Sequence, residues 1–231
     1  MKKSLYAGIA GPLLFIVAFL VEGLTRSGYS QWRHYVSQLA TGPGGWVQVL
    51  NFLVCGTLVL VFAIGLRQSI RDTRGSIGGP VLCGLFAIAL LVAGLFSTDP
   101  GLGYPPGAPQ VHTAHGMIHG LAGLAAFSLL PAFAFVMAWH FAVNPSERGW
   151  AAYSVLVGLS IIVLFIAFTT TSAMDGAGHL ANAPTGFLQR TAIITGWTWI
   201  AMVAWHQLHA PQAWSTRPRP GTAPQPRAAA K

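Results

Sequence analysis

Apolar residues fall in six long runs separated by short polar segments, at residues 5–24, 47–66, 77–97, 115–142, 151–172 and 188–209. Each run is close to or above the roughly 20 residues of helix that cross a hydrocarbon layer of about 30 Å. None alternates with the period of two that marks a barrel strand. The pattern therefore predicts an all-α, polytopic membrane protein, a six-helix transmembrane bundle in which every backbone group is satisfied within its own helix. Between the first two runs, Trp32, Tyr35, Val36 and Leu39 recur at i, i+3, i+4 and i+7, with Arg33, His34, Ser37 and Gln38 on the other positions. That spacing predicts an interfacial amphipathic helix of about two to three turns. Gly42-Pro43-Gly44-Gly45 stops it before the second run.

Six runs leave only short loops and no room for a soluble domain. The predicted organisation is one membrane domain over residues 1–210, followed by a basic, Pro- and Ala-rich tail over 211–231 whose composition predicts disorder. The first run follows Met1-Lys2-Lys3-Ser4, is as long as a full span and lacks a small-x-small cleavage site before Glu22, so it reads as an uncleaved span. A weak internal echo links Arg74-Gly75 with Arg148-Gly149, Gly84-Leu85 with Gly158-Leu159, and Asp99 with Asp175. It predicts that the third and fifth spans end alike, with hydroxyl residues and an aspartate.

Composition sharpens this picture. Hydrophobic residues make up 53% of the chain and charged ones only 8%, against roughly a quarter charged in soluble domains, which rules out a water-soluble globule. The 13 Lys and Arg against 5 Asp and Glu give a net charge of +8, which on a soluble domain would point to nucleic acid. Placed on the six-span topology, however, Lys2, Lys3, Arg67, Arg71, Arg74, Arg148, Arg217, Arg219, Arg227 and Lys231 share one side, and only Arg26, Arg33 and Arg190 the other. By the positive-inside rule the richer side is cytoplasmic. The charge thus predicts orientation in the plasma membrane, both termini cytoplasmic, with membrane lipids rather than nucleic acid as the partner. Cys55 and Cys83 lie inside spans at different depths and are not expected to form a disulfide.

The scarce ionisable groups gather on the predicted outer half: Glu22, Arg26, Arg33, His34, Asp99, His112, His115, His119, Asp175, His179 and Arg190. Ionisable residues in or near membrane segments mark candidate sites, and the near-absence of such groups at the midplane argues against an ion-coupled carrier. His112, His115 and His119 share one helix face at the start of the fourth span. Histidine is a common metal ligand, and His115 with His119, joined by Asp99 or His179, makes a candidate zinc set. The alternative is that His112 and His115 are interfacial residues while His119 hydrogen-bonds Asp99. Arg190, opening the sixth span, needs a carboxylate from Asp99, Asp175 or Glu22, or else grips an anionic ligand.

The pieces Tyr35-Val36-Ser37-Gln38-Leu39-Ala40, Phe96-Ser97-Thr98-Asp99-Pro100, Gly116-Met117-Ile118-His119 and Gln189-Arg190 resemble the uncharacterised membrane proteins of domain-of-unknown-function family 998. The resemblance covers about residues 5–210. It implies a six-helix multi-pass protein and brings no chemistry with it. Ser97 stands where the family pattern has Pro, and Gln189 where it has Glu, which counts against a catalytic role at 189. Asp99, His119 and Arg190 fit the pattern intact. Two functional expectations follow, with catalytic residues unassigned in both. One is a lipid- or amphiphile-binding membrane protein with Asp99, His119, Arg190 and Asp175 as ligand-binding residues under a lid at 32–39, and no cofactor. The other is a zinc-dependent hydrolase or acyl transferase acting on outer-leaflet lipids, with His115, His119, Asp99 and His179 as metal ligands and Asp175 as proton shuttle.

Overall fold

The structure is a computed structural model that describes residues 2–71 and 73–209. The expected disordered tail at 211–231 lies outside the described residues. Among the described residues there are six α-helices: α1 (Lys2–Thr25), α2 (Trp46–Ser69), α3 (Gly78–Leu95), α4 (Ala114–Phe141), α5 (Arg148–Gly176) and α6 (Thr185–His209). Every predicted run is a helix, with ends displaced by a few residues. Five helical segments are long and apolar enough to cross a membrane, so the protein is membrane-embedded. The sixth helix, α6, is as long but carries Thr185, Gln189 and Arg190, all buried. These three side chains face the protein, so they lower the mean hydropathy of α6 without being presented to lipid. Among the described residues there is no β-strand, only an isolated bridge between Gly101 and Tyr104.

Each helix packs on the next in sequence, and α6 returns against α1, closing the bundle into an up-and-down ring. Lipid gives helices no hydrophobic reason to associate, so close contact between small residues must hold the ring. Gly8 of α1 faces Ala204 of α6, where an added Cβ would stand 2.8 Å from the alanine methyl, and Gly94 of α3 leaves room for Phe52 of α2. Within the ring, Phe15 stacks flat on Trp197 at 4.1 Å between centroids, with Phe86 edge-on to the indole. Lower down, the Trp199 indole N–H donates to Ser154 Oγ at 3.0 Å and ties α6 to α5. Outside, Leu13, Val17, Leu156, Val163 and Ile166 are exposed, a belt suited to acyl chains rather than water.

The segments 26–45, 96–113 and 177–184 connect helices at one end of the ring, hereafter the loop end. The predicted amphipathic helix is replaced there by turns and a single short 3-10 helix, Val36–Ala40. Side chains take the amide protons that a longer helix would use: Gln38 Oε1 accepts from Tyr35 N at 2.8 Å and Gln189 Oε1 from Val36 N at 2.8 Å. Val36 and Leu39 point inward and are buried, while Trp32 lies outside against Phe187. The segment is a roof folded into the bundle rather than a helix floating on it.

Candidate functional site

Three arginines and an aspartate hold the roof. Arg190, near the start of α6, is buried and donates through Nη1 to the carbonyls of Gln31 and His34, and through Nη2 to the Tyr29 hydroxyl. Gly186, one turn earlier, makes this approach possible: a Cβ there would collide with the His34 carbonyl and stand 2.9 Å from the Arg190 guanidinium. Arg26 reaches back to Glu22 Oε1 at 2.7 Å and forward to the Leu39 carbonyl at 2.8 Å. Arg33 forks onto Asp175, at 2.8 and 2.6 Å, and that pairing holds its guanidinium more firmly protonated than usual. Asp175 also accepts from Ala183 N at 3.2 Å, just ahead of α6.

His34 is fixed as a neutral imidazole in the roof. Ser30 N donates to its Nδ1 at 2.9 Å, which leaves Nε2 as the donor to the Leu102 carbonyl at 3.1 Å. Burial, assisted by the nearby Arg33 and Arg190 charges, keeps this ring less basic than an ordinary histidine. Burial likewise pushes the Tyr29 phenol up, so it meets Arg190 as a neutral hydroxyl.

Beneath the roof the ring encloses a cavity of about 80 Å³. Val36 and Ser37 cover it, and Phe15, Phe52, Phe86, Leu90, Ile193 and Trp197 form most of its apolar wall. Besides Ser37 in the cover, two polar residues line it near the top, His119 from α4 and Gln189 from α6. By helix rise these lie about 6 to 8 Å below the first residues of their helices, whereas Trp197 lies about 18 Å down. The cavity therefore has a polar upper end and an apolar lower end. Space of this size takes several waters or a short stretch of hydrocarbon, and its wall favours the hydrocarbon.

His119 Nδ1 stands 2.9 Å from the Ala93 carbonyl and 2.8 Å from that of Phe96, at the frayed end of α3. Carbonyls only accept, so the Nδ1 proton is donated to them and caps α3. Asp99 instead binds Thr113: Oδ2 accepts from Thr113 N at 2.8 Å and Oδ1 from Thr113 Oγ1 at 2.6 Å, which keeps its carboxyl below the usual range. Thr113 Oγ1 in turn accepts from Gly116 N at 3.0 Å as the N-cap of α4. The echo between Asp99 and Asp175 thus has a physical content, since each aspartate fastens the connection that follows it to the start of the next helix.

All the residues singled out from the sequence lie at the loop end, where Arg26 pairs with Glu22 and Arg33 with Asp175, while Asp99, His119 and Arg190 are engaged separately. The expected Asp99–His119 hydrogen bond gives way to the Thr113 and α3-carbonyl contacts. The expected carboxylate for Arg190 gives way to backbone carbonyls and a phenol, because Glu22 and Asp175 are taken by arginines of the roof. His115 lies against the Phe96 ring, and His179 is exposed in the last loop. Among the described residues no three His, Cys, Asp or Glu side chains stand close enough to share a metal ion. Sequence reasoning missed Gln189 as a cavity residue. The signal for Gln189 was available, since an amide in the first turn of a span needs a partner inside the bundle.

A family model described as "Protein of unknown function (DUF998)" matches residues 9–206. No curated protein and no solved structure matches the chain.

Proposed function

This chain belongs to the DUF998 family, and we propose from its own geometry that it binds the apolar chain of a membrane amphiphile inside its helix ring, the head group held at the loop end. The observation that carries this reading is the cavity under Val36 and Ser37, apolar below and polar at His119 and Gln189. An amphiphile lying in it would keep the polarity gradient it has in a bilayer. Arg190, Arg26 and the Arg33–Asp175 pair serve this site by holding its roof, rather than by touching the ligand. We place the loop end outside the cytoplasmic membrane and both termini inside, on the distribution of Lys and Arg.

Filling the cavity tests the reading. Ala126→Phe projects a ring into it from α4. Full-length protein carrying this change should lose the amphiphile that wild type retains through detergent exchange, read by mass spectrometry of extracted lipid, while keeping its thermal stability. Equal retention by the two proteins overturns the proposal. Orientation is checked separately with single cysteines at Gly107 and Thr222. An impermeant maleimide should reach the first in intact cells and the second only after permeabilisation.

A further inference from the structure

We infer that the occupant of this cavity is an uncharged, single-chain amphiphile with a hydroxyl head, entering sideways from the bilayer through a gap beside Gly120 and Gly123 of α4 and donating its hydroxyl proton to His119 Nε2. The inference rests on the amphiphile-binding reading above and narrows it to a ligand class. Its first support is the hydrogen-bond accounting of His119. Nδ1–H is spent on the Ala93 and Phe96 carbonyls. A second proton, on Nε2, would place an uncompensated charge against Phe, Leu and Ile side chains, so Nε2 keeps its lone pair and acts as an acceptor. Gln189 is assigned in the same way: its Oε1 receives the Val36 amide, which leaves its NH₂ group as a donor. The upper end of the cavity therefore offers an acceptor and a donor, both neutral. A hydroxyl matches both, giving its proton to His119 and accepting from Gln189. A quaternary ammonium has neither a proton to give nor a lone pair to offer; a phosphodiester could accept from Gln189 but has no proton for His119, and either head would enter as an unpaired charge.

The second support is the wall. A Cβ added at Gly120 or at Gly123 meets no atom within 4 Å, unlike one at Gly116, Gly94 or Gly196 of the same bundle. Gly123 lines the cavity and is itself half-buried, so the enclosed space reaches the lipid-facing surface here. Gly120, exposed one turn before Gly123, adds no side chain to this part of the wall, and Phe127 of the cavity wall packs on Phe168 at 5.0 Å one turn further along, so the gap lies at the level of His119. A single hydrocarbon chain fits such a slot, and no passage through the roof is required.

The test uses full-length protein in lipid nanodiscs and three photoactivatable probes with the same diazirine-bearing chain: a long-chain alcohol, its methyl ether, and a lysophosphocholine. The alcohol should label the protein at least about tenfold more than the ether, the ratio for losing a hydrogen bond to an otherwise unsatisfied buried acceptor. The lysophosphocholine should not label above background. Gly123→Phe, which has room for its first atoms and blocks the slot, should abolish alcohol labelling with no loss of thermal stability. His119→Phe should reduce the alcohol-to-ether ratio to about one, whatever it does to total labelling. Equal labelling by alcohol and ether, or labelling by the lysophosphocholine, overturns the hydroxyl-head inference while Gly123→Phe still blocking it preserves the cavity reading. Labelling that is indifferent to Gly123→Phe overturns both.

Discussion

Arg190 brings a full positive charge under the roof without a carboxylate to meet it. Its compensation is a set of oriented dipoles, the carbonyls of Gln31 and His34 and the oxygen of Tyr29, with the Tyr29 ring 5.4 Å from the guanidinium carbon. Hydrogen bonds to charged groups are worth about 1.5 to 3 kcal/mol each, so Arg190→Met should destabilise the protein by about 3 kcal/mol or more, measured by thermal unfolding in detergent. Arg190→Lys keeps the charge, loses the fork and should fall between the two. His34 gives the roof a pH dependence whose sign is set by its neutral state. In the unfolded chain it titrates near 6.5, and in the roof it resists protonation. Below about pH 6.5 the unfolded state therefore takes up protons that the folded state refuses, and roof stability falls as pH falls. Hydrogen exchange of residues 26–45, corrected for intrinsic rates, should accelerate between pH 7.5 and 5, and His34→Gln should remove that acceleration. The sequence showed which polar side chains gather at this end but not their pairings, because Arg190 and His119 donate to backbone carbonyls that no residue pattern announces.

At the scale of elements, the helices were legible to within a few residues, since apolar run length decides them directly. The roof was not. Trp32, Tyr35, Val36 and Leu39 have helical spacing, yet Gln38 and Gln189 capture the Tyr35 and Val36 amides and hold the chain to a single 3-10 turn. A long-range competitor from α6 cannot be read from a local period. The glycines divide in a similar way. At Gly196 a Cβ would stand 3.1 Å from Ile161 and closer still to Leu130, whereas at Gly120 it meets open space. Gly196→Leu should separate α6 from α4 and α5 and lower the melting temperature sharply, while Gly120→Leu should leave it within the range of ordinary surface changes, about 0.5 kcal/mol. Both are read in the same detergent melting assay.

For the molecule as a whole, closure of the ring matters more than any one contact. The Arg33–Asp175 fork joins the roof, which follows α1, to the last turn of α5, so it spans the ring from its first connection to its last. Arg33→Ala and Asp175→Ala should each loosen the roof, and the double substitution should lose less than the sum, with a coupling of about 1 to 3 kcal/mol. Strict additivity would mean that the pair does not hold the two sides together. The ring itself was not legible, because six apolar runs specify six spans and leave their arrangement open. The cavity was invisible for the same reason, being a property of which faces meet.

The contact of α1 with α6 has a bearing on how the protein is made. The roof belongs to the first connection to leave the ribosome, whereas Gln189 and Arg190, which grip it, belong to the last helix. During synthesis the first five helices can insert and pair in order, but their ring stays open and the roof is held by contacts such as those with Glu22, Leu102 and Asp175, without those from α6. The ring therefore closes in one late step, when α6 enters between α5 and α1 and adds its grip on the roof. Until that moment the Gln31 and His34 carbonyls and the Val36 amide lack the partners that α6 supplies, so the roof of a chain stalled before α6 would be only half fastened.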